Sequence, residues 1–397
     1  MEKQKNIPRL RFPEFREEWE SKKLSEISEI NPSNKGIPER FVYIDLESVE
    51  NGNLKKQNIV YKSEAPSRAQ RVLAPEDILF QMVRPYQKNN LFFDRSGDYV
   101  ASTGYAQIRT KQNSMYVYQY LHLQTFVDKV IERCTGTSYP SINSSDLSNI
   151  YISLPTLPEQ NRIASFLTAI DKKITELKLK KSLLEKYKKG VMLKLFSKEL
   201  RFKDDDGEEF PQWEKKRLDT IITRFIVPMR DKPKDLTGEI PWCRIEDFEG
   251  KYLSSSKSGQ GVTQMTVKEM NLKIYPINTL LVSCSANLGF CAIVKKELIT
   301  NQTFIGLVPD ENMVDVEYLY YVLALSAQKL NALSSGTTIS YLSKEQFEKF
   351  EIIFPSLPEQ TKIANFLSSI DDKINHTQVQ IKQTEQYKKG LLQQMFC

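Results

Sequence analysis

The chain has 397 residues, 40% hydrophobic and 27% charged, with 56 Lys+Arg against 50 Asp+Glu and a formal net charge of +6. These are the proportions of a globular protein of roughly two to four domains, and the longest apolar run, LYYVLAL at 319–325, is far short of the roughly 18–20 residues a membrane span needs. The N-terminal MEKQKNIPRLRF lacks the apolar centre of a secretory signal, so the expected compartment is cytoplasmic, and five scattered cysteines with only His122 and His376 supply neither a disulfide framework nor a zinc ligand set.

In chain order, LRF at 10–12 and WESKKLSEI at 19–27 open the first segment. Short β-branched and aromatic runs broken by Gly, Asn and Asp follow, at 44–56, 75–80 (PEDILF) and 102–108 (STGYAQI), and read as strands and turns. The pattern predicts a helix over 116–132, then a TGTS element at 135–138 and an alternating stretch ending at Pro155. LPEQNRIASFLTAIDKKI at 157–174 begins a long helix, with Pro158 in the first turn, where a missing N–H costs nothing, and Glu159 at the positive end of the dipole.

The order then repeats. LRF returns at 200–202, WEKKRLDTI at 213–221, PINTLL at 276–281, NQTFIGL at 301–307, a second predicted helix at 316–333, SGTT at 335–338, and LPEQTKIANFLSSIDDKI at 357–374. At an offset of 200, residues 157–197 and 357–397 share eighteen of 41 positions without a gap. The predicted organisation is a globular segment at 1–155, a helix at 156–197, a second globular segment at 198–355 and a helix at 356–397. Each globular segment reads as α+β with a small mixed or antiparallel sheet.

In the first helix, positions 163, 167, 170, 174, 177, 181, 184, 188, 191 and 195 alternate four and three apart, and eight of the ten are apolar. This is the seam of a coiled coil. The second helix gives seven of ten at the matching positions. Such helices run about 60 Å, and each is the obvious antiparallel partner of the other. Their identities gather near the ends, while the decades 175–184 and 375–384 share none. Antiparallel pairing sets Glu159, Gln160 and Phe166 beside Tyr387 and Lys388, and Glu359, Gln360 and Phe366 beside Tyr187 and Lys188. Two such like patches fit two copies of one partner.

No catalytic constellation is present. There is no phosphate loop, and GQG at 259–261 lacks the third glycine of a dinucleotide site and reads as a flexible loop. DDDGEE at 204–209 lacks calcium-loop spacing and reads as a solvated linker. What remains is loop chemistry suited to recognition. The first half offers Arg68 and Arg71 in SRAQR, Arg84, Tyr86, Lys88 and Asn89 in VRPYQKNN, and Ser138 and Tyr139 in TGTSYPS. The second offers Arg244, Lys257, Ser285 and Asn287 in CSANLGF, and Thr338 and Tyr341 in SGTTISY. Arg and Lys read guanine edges, Asn and Gln read adenine, and hydroxyls meet phosphates. A non-catalytic protein–protein scaffold, two binding modules on a coiled-coil spacer, is the competing reading.

The doubled LPEQxxIAxFLxxID helices, the YKKG returns at 187–190 and 387–390, the ELRF junction at 199–202 and the Gly-Thr elements resemble, over the whole chain, the specificity subunit of type I restriction-modification systems. The resemblance implies two tandem α+β target recognition domains separated by two long helices in an antiparallel coiled coil with pseudo-two-fold symmetry. It implies that each domain reads one half of a bipartite sequence in double-stranded DNA, and that the helices set the spacer. Two modification subunits, bearing the S-adenosylmethionine chemistry, would dock on the helices, and restriction subunits would join them. The chain itself would need no cofactor or metal and would not engage a membrane.

Overall fold

The computed structural model describes residues 6–228, 232–284, 288–333 and 342–396. The chain divides into two units, residues 1–179 with 377–397, and residues 180–376. The long helices, Leu157–Phe196 and Leu357–Met395, are each shared between the two. Each unit therefore holds one globular segment, the start of the helix that follows it, and the end of the other helix.

In the first unit, strand Glu20–Lys23 pairs antiparallel with Tyr151–Leu154, Glu20 opposite Leu154. This ties the beginning of the globular segment to the residues that feed the long helix. Between them lie two four-stranded sheets rather than one small sheet. One runs Asn58–Tyr61, Arg40–Ile44, Tyr99–Ser102, Ala69–Val72, with a parallel central pair. The other runs Ser28–Ile30, Tyr105–Thr110, Ile78–Gln81, Leu91–Phe92, all antiparallel. Ile78–Gln81 is buried along its whole length, as a central strand covered on both faces should be. The core gathers Trp19, Phe80, Tyr116 and Phe126 with Ile163 and Leu167 of the first long helix, and with Leu391, Met395 and Phe396 of the second.

The second unit repeats the frame. Glu214–Arg217 pairs with Glu351–Phe354, Glu214 opposite Phe354. A five-stranded sheet runs Ile222–Ile226, Phe304–Pro309, Leu280–Ser283, Cys291–Val294, Tyr252–Leu253, and a three-stranded one Gly261–Val262, Ile240–Cys243, Ile299–Thr300. Val191 and Leu195 of the first long helix and Ile363, Leu367 and Ile370 of the second enter its core. Each unit is thus α+β, with a pair of long helices packed on it.

The pair is antiparallel within each unit. Asp171 meets Lys388 and Lys178 meets Glu385 in the first, and Lys188 meets Asp371 in the second. Every apolar position of the predicted seam is buried or half-buried. The lysines at seam positions 188 and 388 lay their stems into it and put their ammonium groups on those aspartates. Among the described residues no helix is long and apolar enough to cross a membrane.

Four local expectations are revised. The helix predicted over 116–132 is two, Ser114–Tyr120 and Gln124–Ile131. The His122 ring bonds the Tyr118 carbonyl at 2.8 Å, the acceptor its own backbone N–H would need to continue the helix, and that N–H turns to Gln119 instead. The second predicted helix likewise divides at Ser326, whose hydroxyl bonds the Val322 carbonyl. In GQG at 259–261 the loop covers Gly259 and Gln260 only: Gly261 begins a strand so close to Gly238 that a Cβ would come 2.2 Å from its carbonyl oxygen. DDDGEE at 204–209 is solvated as expected, with Asp205, Asp206, Glu208 and Glu209 exposed, but it forms an ordered turn. Asp204 caps the backbone N–H groups of Asp206 and Glu208, and Asp205 takes the Lys362 ammonium at 2.7 Å.

Phe396 is buried, with its ring centroid 5.3 Å from Tyr116, 5.8 Å from Tyr120 and 6.2 Å from Trp19. Phe396→Ala should therefore destabilise the first unit by about 3–5 kcal/mol. Urea unfolding followed through Trp19, the tryptophan of that unit, checks this. An unchanged midpoint would show that the chain end does not belong to the core.

Candidate nucleic-acid interface

The loop at 83–90 is pinned from several sides. Val83 bridges to Ser141, and the Arg84 N–H donates to the Pro140 carbonyl at 2.8 Å. Gln81 donates to the Val83 carbonyl and to Gln87 Oε1, and accepts from the Asn89 N–H. Arg84 and Lys88, on either side of the single turn Pro85–Gln87, both hold left-handed backbone, φ 53° and 54°. For residues with a Cβ this costs about 1 kcal/mol or more each. The outcome is a stack: the Arg84 guanidinium lies 4.1 Å from the ring centroid of Tyr139, which is 64% exposed. Tyr86, Ser138 and Arg68 are also exposed.

Other members of the expected set are used internally. Lys88 donates to the His122 carbonyl at 2.9 Å and to Gln124 at 3.0 Å. Burial holds its ammonium below the usual lysine range, with Asp128 opposing and Lys389 adding to the shift. Asn89 accepts the Asn51 N–H. Lys88 and Asn89 are therefore loop anchors rather than free base readers. Arg71 is half-buried on strand Ala69–Val72, and burial lowers its pKa too.

In the second unit, Ser285, Asn287, Thr338 and Tyr341 lie outside the described residues. Arg244 donates to Gln260 at 2.6 Å and pairs with Glu246, and Lys257 pairs with Glu249. Both are engaged locally. The sequence reading missed a cleft of about 710 Å³ on this unit, where Arg224, Lys273 and Lys344 surround Phe225, Val227 and Ile274, with no carboxylate among the described lining residues. Its cations are 49 and 71 residues apart or more in sequence and only folding assembles them.

The helix starts overturn a further expectation. Glu159, Gln160, Glu359 and Gln360 are fully buried and so are not a docking face. Glu159 accepts both arms of the Arg11 guanidinium at 2.7 and 2.8 Å. Glu359 accepts Arg201 at 2.8 and 3.1 Å and the Trp213 indole N–H at 2.7 Å. Gln160 accepts the Asn113 N–H and donates to the Pro155 carbonyl; Gln360 does the same with Asp315 and Pro355. Phe166 and Phe366 are half-buried against Phe12 and Phe202. Lys188 and Lys388 hold Asp371 and Asp171. Of the expected docking set only Tyr187 and Tyr387 stand clear, 53% and 56% exposed. The repeated LRF was the available signal for Arg11 and Arg201.

The family described as Type I restriction modification DNA specificity domain matches residues 16–185 and 212–385. The type I restriction enzyme MjaIX specificity subunit of Methanocaldococcus jannaschii is 32% identical over 207 residues, 51% of this chain and 48% of that relative. The putative MjaX specificity subunit of the same organism is 25% identical over 419 residues, 98% and 95% of the two chains. The chain thus spans about half the length of the first relative and nearly all of the second. The type I restriction-modification S subunit from M. genitalium shares the fold, with a TM-score of 0.61 over 98% of this chain and 99% of that one at 14% identity.

His122 sits behind the Arg84 loop, and burial pushes its pKa down to about 4, with Lys388 and Lys88 adding to a shift that the Tyr118 carbonyl and Asp171 resist. An unfolded histidine takes up its proton near pH 6.5. Below that the unfolded state binds a proton that the folded state refuses, so stability is full above about pH 6.5 and declines as pH falls to about 4, by up to about 3 kcal/mol from this group. Urea unfolding at pH 7.5 and pH 5 should show a smaller loss for His122→Gln than for the wild type. Equal losses would refute the assignment.

Proposed function

Since the chain belongs to the type I restriction modification DNA specificity family, we propose that its two globular segments each read one half of a bipartite, asymmetric target in double-stranded DNA. In this reading the long helices set the unread spacer and dock two modification subunits, which carry the S-adenosylmethionine chemistry and with which restriction subunits associate.

One observation carries the proposal: the two units repeat the same internal anchors under unlike surfaces. The buried Arg–Glu pair, the glutamine clasp and the seam Lys–Asp pair recur in both. Among the described residues the polar surfaces differ. The first unit displays the Arg84–Tyr139 stack, the second the cleft of Arg224, Lys273 and Lys344. A common frame under two different cationic, aromatic-bearing surfaces suits one kind of ligand read in two different sequences. The docking patches fall on what the repeated YKKG leaves outside, Tyr187 with Lys189 and Tyr387 with Lys389, all exposed.

Exchanging residues 1–156 for those of another member should change one half of the methylated motif and leave the other half and the spacer as they were. A change in both halves would sink the modular reading. Adding one heptad within 175–184 and one within 375–384 lengthens each helix by about 10 Å, or roughly three base pairs at about 3.4 Å each. The methylated motif should then gain a spacer longer by about that amount, and an unchanged spacer would refute the ruler role.

A further inference from the structure

We propose that Arg84, held on the ring of Tyr139, reads a guanine in the half-site contacted by the first unit; this rests on the DNA-reading role proposed above. The guanidinium stacks at 4.1 Å on a ring that is itself largely exposed, an arrangement that fixes the plane of the fork and leaves an edge for a planar acceptor. Among the described residues no carboxylate pairs with it, and its Nε is buried without an acceptor. An arginine deprived of an internal anion, with part of its donor set sealed away, is costly for a fold that gains nothing from it.

The backbone beneath it points the same way. Arg84 is held in left-handed conformation by the Val83–Ser141 bridge and the Pro140 carbonyl, with Gln81 bracing the loop from below. The loop is thereby rigid before any ligand arrives, so the ordering cost that ordinarily opposes an arginine contact has already been met in folding. A phosphate also accepts the fork, but its tetrahedral oxygens accept from many approaches and need no fixed plane. A planar, two-acceptor edge does, and guanine O6 with N7 in the major groove is the base edge that matches the fork.

The test uses the full chain assembled with its modification subunits in a host without its own DNA methylation, the methylated motif being read by sequencing. Arg84→Lys keeps the charge but loses the fork, and should lower discrimination at a single G·C pair of one half-site by about 5- to 150-fold, with the other half-site and the spacer unchanged. Arg84→Gln should move preference at that same pair toward A·T, which keeps the question open to test if the lysine variant does not fold. Tyr139→Phe preserves the ring and should preserve the motif, whereas Tyr139→Ala should relax the same pair. An unaltered motif in folded Arg84→Lys, an even weakening across all positions as a phosphate contact gives, or relaxation at a pair that is not G·C would each overturn the assignment. A wild-type complex that methylates no bipartite motif would overturn the DNA-reading role itself, and this inference with it.

Discussion

A carboxylate with no exposed surface lies in the first turn of each long helix, and an arginine from the start of the same unit grips it with both arms. Burying a charge is prohibitive unless it is paired and fully hydrogen-bonded. Glu159 and Glu359 meet that condition through bidentate geometry, the strongest form of such a contact, while the helix dipole favours the negative charge where it sits. The strand pairs Glu20–Lys23 with Tyr151–Leu154 and Glu214–Arg217 with Glu351–Phe354 close on the same place. The direction in which each helix leaves its globular segment is thereby constrained by the opening residues of that segment.

That constraint explains why the helix starts are so alike. Their shared residues are largely internal. The LPEQ glutamates and glutamines clasp the segment, the isoleucines and leucines feed its core, and the aspartates at 171 and 371 take a seam lysine from the opposite helix together with Gln119 or Tyr321. Two units that must seat the same pair of helices need the same sockets. Of the repeated residues expected to dock a partner, only tyrosines 187 and 387 remain largely exposed.

The surfaces proposed for recognition show the opposite economy. The first unit puts a strained, pinned loop beneath one stacked arginine, and the second collects three cations around an apolar cleft. The cationic side chains of neither surface are among the buried anchors that seat the helices, although Phe225 of the cleft also packs on the core. A loop such as 83–90 is still not free to drift, because Lys88, Asn89 and Gln81 are spent on its support. His122 behind it, with its pKa depressed to about 4, stays neutral through ordinary pH.

The linear sequence by itself determined the two-part organisation, the long helices with their seam, and the α+β class of each segment, because periodicity and repetition are properties of neighbouring positions and need no distant contact to be read. It also marked Arg84 and Tyr139 as residues of interest, although not as a pair. Only the tertiary structure decided which polar residues face inward. Glu159 and Gln160 look like surface groups in a polar helix start until Arg11, about 150 residues away, is seen to cover one of them. The break at His122 turns on a ring capturing a carbonyl, a competition that helix periodicity does not encode. Arg224, Lys273 and Lys344 become one cleft through strand pairing and helix placement alone. Burial and convergence depend on contacts between residues far apart in the chain, and those are set when the whole unit packs.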